Sequence, residues 1–227
     1  MSVIFFDIGA TLADAQMEPD GSLTLLPRPR VMAVLDALRG VREGIISNPG
    51  PGDRAAPRAE AALHEAFPGR FAEEALVHWG VKDSRRVFDE AVASTGAAAD
   101  ECVFVGEDAQ ERAFAREAGM RTAADPVFVF AAMESRPVHR SRIELPEDLG
   151  PAELATAVDE TEAVVVQIVS ERLALVMVTT RGAEALERAG FGVQVRGRVD
   201  DTTAVPVRDG RPASVPDALA DAPHEAP

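Results

Sequence analysis

Four short apolar runs, each followed by a stretch with helical periodicity, most strongly limit what this chain can fold into. The runs are Val3–Phe6, Gly44–Ile46, Ala75–Trp79 and Glu101–Val105. Continuous apolar runs of this length are typical of strands buried on both faces, as in a parallel sheet. Because the strands alternate with helices, the sequence predicts an α/β fold, a doubly wound parallel sheet with helices on both faces.

The segments between these strands carry the signals of helices and turns. Pro29 suits the first turn of a helix that Gly40 ends, and Asp20-Gly21 can close a small hairpin before it. The apolar spacing predicts further helices over residues 55–67, 84–95 and 109–118. Residues 127–130 predict one more short strand.

Composition divides the chain into four segments. We expect the core domain over residues 1–130 and a linker rich in turn formers over 131–150. A second, smaller α+β module is expected over 151–208, and a disordered tail rich in Pro, Ala and Asp over 209–227. Inside the module the pattern predicts helices at 151–158 and 183–189, a hairpin of strands at 163–169 and 173–179, and strands at 193–199 and 204–207.

The charge balance excludes some partners. The formal net charge of −15 argues against sequence-independent nucleic-acid binding and is unfavourable for an anionic membrane surface. No apolar stretch reaches the ~18 residues of a membrane span. The start of the chain has no basic segment followed by a long apolar one, so we expect a cytoplasmic protein.

Polar residues follow the predicted strands. Asp7, Ser47, Lys82 and Glu107 all come at strand ends or in the adjoining loops. In open α/β sheets, ligands bind beyond the carboxyl ends of the strands. Lys82 is the only lysine of the chain. An arginine cannot replace the point-like ammonium of a lysine at a phosphate site, so this position suggests anion binding.

Taken together, these segments resemble the four motifs of the haloacid dehalogenase superfamily, most members of which are phosphatases. The stretch Phe5-Phe6-Asp7-Ile8-Gly9-Ala10-Thr11-Leu12 resembles the first motif, and Ile45-Ile46-Ser47-Asn48 the second. Val81-Lys82 with Arg86-Val87-Phe88 is similar to the third motif, and the stretch from Val103-Phe104-Val105-Gly106-Glu107 to Ala118-Gly119-Met120 to the fourth. Order and spacing agree over residues 3 to about 125.

The resemblance implies a role for each of these residues. Asp7 would be a nucleophile that forms an aspartyl-phosphate, which splits a difficult hydrolysis into two easier steps. Ser47 and Lys82 would act with it in catalysis, and Ser47, Asn48 and Lys82 would bind the phosphoryl group. The implied cofactor is Mg²⁺, a hard cation that takes oxygen ligands. Its implied ligands are Asp7, Gly9, Glu107, Asp108 and Glu111.

Two departures from the family pattern bear on this activity. Gly9 stands where the family's phosphatases have a second aspartate, which protonates the leaving group and then activates water. Loss of such a group typically costs about 10²–10⁴-fold in rate, which weakens the case for ordinary phosphomonoesterase activity. Glu107 and Glu111 stand where the family usually has two aspartates. Their longer side chains require compensating backbone shifts to satisfy the octahedral geometry of Mg²⁺.

The short spacing between the motifs predicts a core without a cap domain. One helix and its loop use most of the segment between Asp7 and Ser47, and one helix and one strand fill the segment up to Lys82. A capless site would be open to large phosphorylated substrates. The module at 151–208 is then a structural or dimerisation domain, a site for a protein partner, or a cover for the core.

Three functions remain open on the sequence. The first, which we favour, is a Mg²⁺-dependent phosphatase of unknown substrate acting through Asp7. The second is a non-catalytic binding or interaction protein on a degenerate hydrolase core, which Gly9 and the two glutamates favour. The third is a site that accepts a phosphoryl group on Asp7 and releases it slowly.

Overall fold

The computed structural model describes residues 2–200 and, as backbone alone, Val207–Arg208 and Arg211–Pro212. The chain divides into two compact units, Met1–Met133 and Glu134–Pro227. In the described part of the chain, no helix combines the length and the apolar character needed to cross a membrane.

The first unit contains seven strands and five helices. In chain order they are β1 (Val3–Phe6), β2 (Ala13–Met17), β3 (Leu23–Pro27), α1 (Val31–Ala37), β4 (Arg42–Ser47), α2 (Ala55–Ala66), β5 (Val77–Trp79), α3 (Arg86–Thr95), β6 (Cys102–Val105), α4 (Ala109–Glu117), β7 (Arg121–Ala123) and α5 (Val129–Met133). Short 3₁₀ helices lie at Glu74–Leu76, Ala99–Glu101 and Pro126–Phe128.

Five of these strands form one parallel sheet in the order β5-β4-β1-β6-β7. All four residues of β1 are fully buried, as are those of β6, which confirms the predicted doubly wound α/β core. Phe6 pairs with Ile45 on one side and with Val105 on the other, so β1 and β6 end level with one another and β4 continues two residues further, to Ser47. The chain reverses its winding direction at β1, which places Asp7 at the topological switch point where ligands bind in such sheets.

The predicted hairpin is confirmed between β1 and α1. Strands β2 and β3 pair antiparallel from Ala13 opposite Pro27 to Met17 opposite Leu23. Asp20 Oδ1 accepts hydrogen bonds from the backbone N–H and the hydroxyl of Ser22, and Gly21 has a φ of 84°, in the left-handed region that glycine tolerates.

The strand expected at residues 127–130 is wrong. These residues belong to the 3₁₀ helix Pro126–Phe128 and to α5. Asp125 Oδ1 accepts a hydrogen bond from Val127 N, and Pro126 occupies the first turn. An Asx cap followed by proline favours the start of a helix over an extended strand, although Val-Phe-Val-Phe alone favours a strand. The sheet's fifth strand, β7, was not predicted.

Over residues 134–200, the second unit has two helices packed on a four-stranded antiparallel sheet. Its elements are β8 (Val138–Glu144), α6 (Pro151–Asp159), β9 (Ala163–Ser170), β10 (Leu173–Thr179), α7 (Thr180–Arg188) and β11 (Gly192–Arg198). The strand order is β11-β8-β10-β9, which with the chain order βαββαβ gives a ferredoxin-like topology. Its core includes Ile143, Val176 and Leu186. The prediction of a second, smaller α+β domain is confirmed.

The boundaries of this unit differ from those predicted. Residues 131–150, expected as a linker, contain the end of α5 and β8, which is a central strand of the second sheet. Prolines at 137 and 146 and a polar sequence mask this strand, because arginines occupy its alternate positions. Most of the predicted strand at 204–207 and of the predicted disordered tail at 209–227 lies outside the described residues. Val207–Arg208 and Arg211–Pro212 pair antiparallel.

Candidate active site

The carboxyl ends of three strands bring Asp7, Ser47 and Lys82 together. Asp7 directly follows β1, Ser47 is the last residue of β4, and Lys82 lies in the loop after β5. Ser47 Oγ donates a hydrogen bond to Asp7 Oδ1 over 2.8 Å, and Lys82 Nζ lies 2.6 Å from the same oxygen. All three residues are buried, with exposures of 7% or less. One carboxylate oxygen is therefore fixed by a hydroxyl and an ammonium.

Lys82 also connects this cluster to α4. Its Nζ lies 2.8 Å from Glu111 Oε2, so the ammonium bridges two carboxylates. Burial by itself would lower the pKa of Lys82, but the charges of Asp7 and Glu111 outweigh it and raise the pKa above its usual range. Lys82 therefore stays protonated and serves as the fixed positive charge of the site.

Glu107 is held against the loop that follows β1. Thr11 Oγ1 donates to Glu107 Oε2 over 3.0 Å and accepts from Glu107 N over 3.2 Å. Gly106 lies just before Glu107, and a Cβ at that position would lie 2.8 Å from the Phe104 ring. Thr11 fixes the glutamate side chain that stands where the resemblance implies an aspartate.

The site holds more negative than positive charge. Burial raises the pKa of Glu111 to about 7, and the attraction of Lys82 only partly opposes this. Burial and then the charge of Asp7 raise the pKa of Glu107. A single ammonium faces three carboxylates, so the added charge of a cation would be favourable there.

Arg112 supports the site from beneath and was not found by sequence reasoning. It is completely buried, and its Nη1 donates to the carbonyl oxygens of Gly106 and Glu107, both over 2.8 Å. These contacts fix the loop that carries Glu107. The only sequence signal is an arginine on the same face of α4 as buried Ala115, where an apolar residue is expected.

Two residues implied by the resemblance point their polar atoms elsewhere. Asn48 Oδ1 accepts from Gly50 N within its own exposed loop. Asp108 is the N-cap of α4, and its Oδ1 accepts from Gln110 N and Glu111 N over 2.7 and 2.9 Å. Gly9 lies in the exposed loop after Asp7, with no heavy atom within 4 Å of where its Cβ would stand.

Mg²⁺ requires hard oxygen donors in near-ideal octahedral geometry. Among the described residues, no group of three or more His, Cys, Asp or Glu side chains is arranged to hold a metal ion. Mg²⁺, however, usually takes only one or two carboxylates and completes its shell with water and phosphate oxygens. Asp7 and Glu107 supply two hard oxygen donors, and the charge of Asp7 raises the pKa of Glu107. Their chemistry fits Mg²⁺.

The buried Asp–Ser–Lys cluster lies at the switch point of a doubly wound sheet, which places the first unit in the class of α/β proteins whose ligands bind beyond the strand ends. No family model and no curated protein matches the chain. Among the solved structures to which it is similar are phosphatases of the haloacid dehalogenase superfamily.

Three of these structures show the extent of the likeness. A 3-deoxy-D-manno-octulosonate 8-phosphate phosphatase from Moraxella catarrhalis is 20% identical over 52% of this chain and 64% of that chain, with a TM-score of 0.37. A putative phosphatase of the same name from Vibrio cholerae is 16% identical over 52% of this chain and 62% of that chain, with a TM-score of 0.37. The cobalt-bound form of a deoxy-D-mannose-octulosonate 8-phosphate phosphatase from Haemophilus influenzae is 15% identical over 58% of this chain and 74% of that chain, with a TM-score of 0.40.

The present chain spans less than two thirds of the length of the first two. With TM-scores of at most 0.40 in these three structures, the likeness is partial. The strand order and the contacts of Asp7 are features of this chain's own structure and do not depend on that likeness.

Proposed function

We propose that the first unit is a hydrolase of the haloacid dehalogenase type that transfers a phosphoryl group to Asp7. The observation that carries the proposal is the double contact on Asp7 Oδ1, from the Ser47 hydroxyl and the Lys82 ammonium. Both contacts hold the carboxylate in one orientation at the carboxyl end of β1. Such preorganisation is what a carboxylate nucleophile requires.

The same donors serve the transferring group. Negative charge builds up on the equatorial oxygens of a phosphoryl group during transfer, and fixed donors that stabilise it accelerate the reaction. Lys82 lies between Asp7 and Glu111 and is positioned to neutralise this charge. The Ser47 hydroxyl can donate to a phosphoryl oxygen once it leaves Asp7.

Mg²⁺ is the proposed cofactor. Asp7 and Glu107 would hold it, and by the family resemblance the backbone carbonyl of Gly9 would join them. A bound Mg²⁺ supplies charge neutralisation for the phosphoryl oxygens. Asp108 and Glu111 are less suited to hold it, because Asp108 caps α4 and Glu111 is paired with Lys82.

The second unit is proposed as an interaction module, either for self-association or for a protein partner. Its edge strands β9 and β11 expose Ile168, Val169 and Val195, each more than 40% accessible. Exposed apolar edge strands are ready templates for pairing with another chain.

The test of the proposed function is hydrolysis of an aryl phosphate with and without Mg²⁺, by the wild type and by Asp7→Asn. We expect turnover that requires both Mg²⁺ and Asp7, because an amide is not a nucleophile of comparable strength. Asp14→Asn is the matched control. It removes the same charge from an exposed position, with Asp14 Oδ1 3.9 Å from Arg28 Nε, and should leave turnover unchanged.

Equal inertness of the wild type and Asp7→Asn would favour the alternative function, a binding protein on a hydrolase core. The open space at Gly9 is the observation that supports that alternative. Equal activity of the two proteins would refute the assignment of Asp7 as the nucleophile.

A further inference from the structure

The face of the second sheet that is turned away from α6 and α7 carries a group of arginines. Ile143 and Val176 pack with apolar residues of α6 and α7, so these positions of β8 and β10 point toward the helices. Side chains alternate between the two faces of a strand. Arg140 and Arg142 of β8 therefore point to the opposite face.

Strand β11 adds a third arginine to this face. Gln194 lies opposite Arg142 in the strand pairing, and Arg196 Nη2 donates to Gln194 Oε1 over 3.2 Å. Gln194 Nε2 donates in turn to Glu144 Oε1 over 3.1 Å, and Arg142 Nη2 lies 3.9 Å from the same oxygen. With Arg140, the face groups three guanidinium groups and one carboxylate. Positive charge exceeds negative charge there by two, although the chain as a whole has a net charge of −15.

Arg140 differs from its neighbours because it is buried without a partner. Only 8% of it is exposed, and among the residues that the structure describes its guanidinium forms no hydrogen bond and no ion pair. The Nε atom of Arg142 is also buried with no hydrogen-bond partner in that part of the chain. Burying a charged group is costly unless a group of opposite charge meets it. Both arginines therefore have unused N–H donors for an anion.

The residues beside these arginines add space on one side and apolar side chains on the other. Gly197 of β11 lies opposite Arg140, and a Cβ there would lie 3.9 Å from Arg140 Nη2. Strand β11 thus places no side chain beside this nitrogen. On the β10 side, Met177 lies opposite Arg140, and Leu175 lies opposite Arg142. The face therefore combines charged donors with an apolar border, which fits an anion that carries an organic group.

We propose that this face of the second sheet binds the phosphate group of a small organic phosphate monoester. Guanidinium groups donate paired hydrogen bonds to phosphate oxygens. A phosphate monoester carries close to two negative charges at neutral pH, which matches the local excess of two positive charges. Leu175 and Met177 border the organic group. The site consists of residues of the second unit alone, and it does not depend on the function proposed for the first unit.

The experiment titrates the full chain with phenyl phosphate in a buffer without Mg²⁺, by calorimetry, and locates the ligand by hydrogen exchange. We expect binding that slows exchange in β8, β10 and β11. Arg140→Met, which removes the unpaired donor, should weaken the affinity by about 10–100-fold. Denaturant unfolding should show that this variant is folded and no less stable than the wild type, because it loses a buried charge that had no partner.

Gly197→Asp is a second variant that leaves all three arginines in place. It puts a carboxylate beside Arg140 Nη2, and the φ of Gly197 lies outside the left-handed region, so the backbone accepts a side chain. We expect a loss of affinity similar to that of Arg140→Met. Arg188→Met is the matched control, because Arg188 is exposed on α7, which packs on the other face of the sheet, and its affinity should equal that of the wild type.

Three results would overturn the proposal. The first is slowed exchange in the first unit alone, which would place the bound phosphate there. The second is an unchanged affinity in both Arg140→Met and Gly197→Asp. The third is benzoate binding as tightly as phenyl phosphate, because a carboxylate carries one charge and the proposed site is matched to two. Absence of any binding by the wild type would refute the site outright.

Discussion

The two units shift the pKa values of their carboxylates in opposite directions. In the second unit, Arg136 donates to both oxygens of Glu162 over 2.6 and 2.8 Å, and Thr179 Oγ1 donates to Oε2 over 2.7 Å. These hydrogen bonds lower the pKa of Glu162, and burial opposes them only in part. In the first unit, the pKa of Glu107 and that of Glu111 are raised by burial.

The contrast lies in how many donors each carboxylate has. The guanidinium of Arg136 also pairs with exposed Glu134, but it supplies separate N–H groups to each partner. Lys82 supplies one ammonium to Asp7 and Glu111 together. A fully satisfied polar network makes a fold rigid, whereas strongly perturbed pKa values mark a candidate functional site. The comparison thus distinguishes a structural cluster in the second unit from the candidate functional cluster in the first.

The largest expected effect is on turnover and comes from Lys82→Met. Losing the fixed charge should lower aryl phosphate turnover by about 10²–10³-fold, because the developing negative charge loses its fixed counter-charge. Steady-state kinetics measures the effect. Lys82→Arg should also be impaired, since a planar guanidinium does not fit where an ammonium bridges two carboxylates. Full activity of Lys82→Met would show that this cluster is not the active site.

The next effect concerns Arg112→Met, which tests the support of the site. We expect a loss of roughly 2–4 kcal/mol in the free energy of unfolding, because two buried carbonyl oxygens lose a charged donor. Denaturant unfolding gives the value. Hydrogen exchange should be fastest to change in the loop from β6 to α4. Arg116→Met, in the same helix, is the comparison variant.

Glu162→Gln tests the structural cluster. The expected loss is roughly 1–2 kcal/mol, since the amide keeps a contact with Thr179 but loses the charged pairing with Arg136. Hydrogen exchange should quicken in β9 and β10 and stay the same in β1 and β6. If β1 and β6 changed as well, the two networks would not be independent.

The smallest expected effect is a dependence of stability on pH, to which one histidine in each unit contributes. Burial lowers the pKa of His78, and burial together with the charge of Arg198 lowers that of His139. A neutral imidazole is then favoured in the folded state, so stability falls as the pH drops through the ordinary histidine pKa of 6.5.

His78→Gln should flatten this dependence for the first unit, and His139→Gln for the second. Denaturant unfolding at pH 7.5 and pH 5.5 with residue-level hydrogen exchange would measure both. An unchanged pH dependence in both variants would show that other groups dominate it.

The sequence revealed the first sheet well, because buried parallel strands are continuous apolar runs that periodicity detects. It revealed Asp7, Ser47 and Lys82 for a related reason, since parallel strands end at one edge. Strand β8 was missed because its sequence is polar, with Arg140 and Arg142 at alternate positions, and lies between two prolines. Here tertiary packing overrides the local pattern.

The supporting contacts of the site were out of reach of sequence reasoning, although Glu107 itself was predicted as a site residue. Thr11 and Glu107 lie 96 positions apart, and only the sheet register brings them together. Arg112 contacts backbone carbonyl oxygens, which leave no mark on residue type. Local patterns report on faces and turns, whereas these contacts depend on how distant loops meet.

The single lysine makes the centre of the site a unique cleavage point. An endoprotease that cuts after lysine has one target in the chain, and in the folded state that target is buried. Where opening and closing are fast relative to cleavage, the rate of cutting reports the fraction of molecules with an open site. Any anion that binds the closed site should slow this cutting in proportion to its occupancy. The rate of cleavage in the loop after β5 therefore measures ligand binding without a label and without knowledge of the substrate.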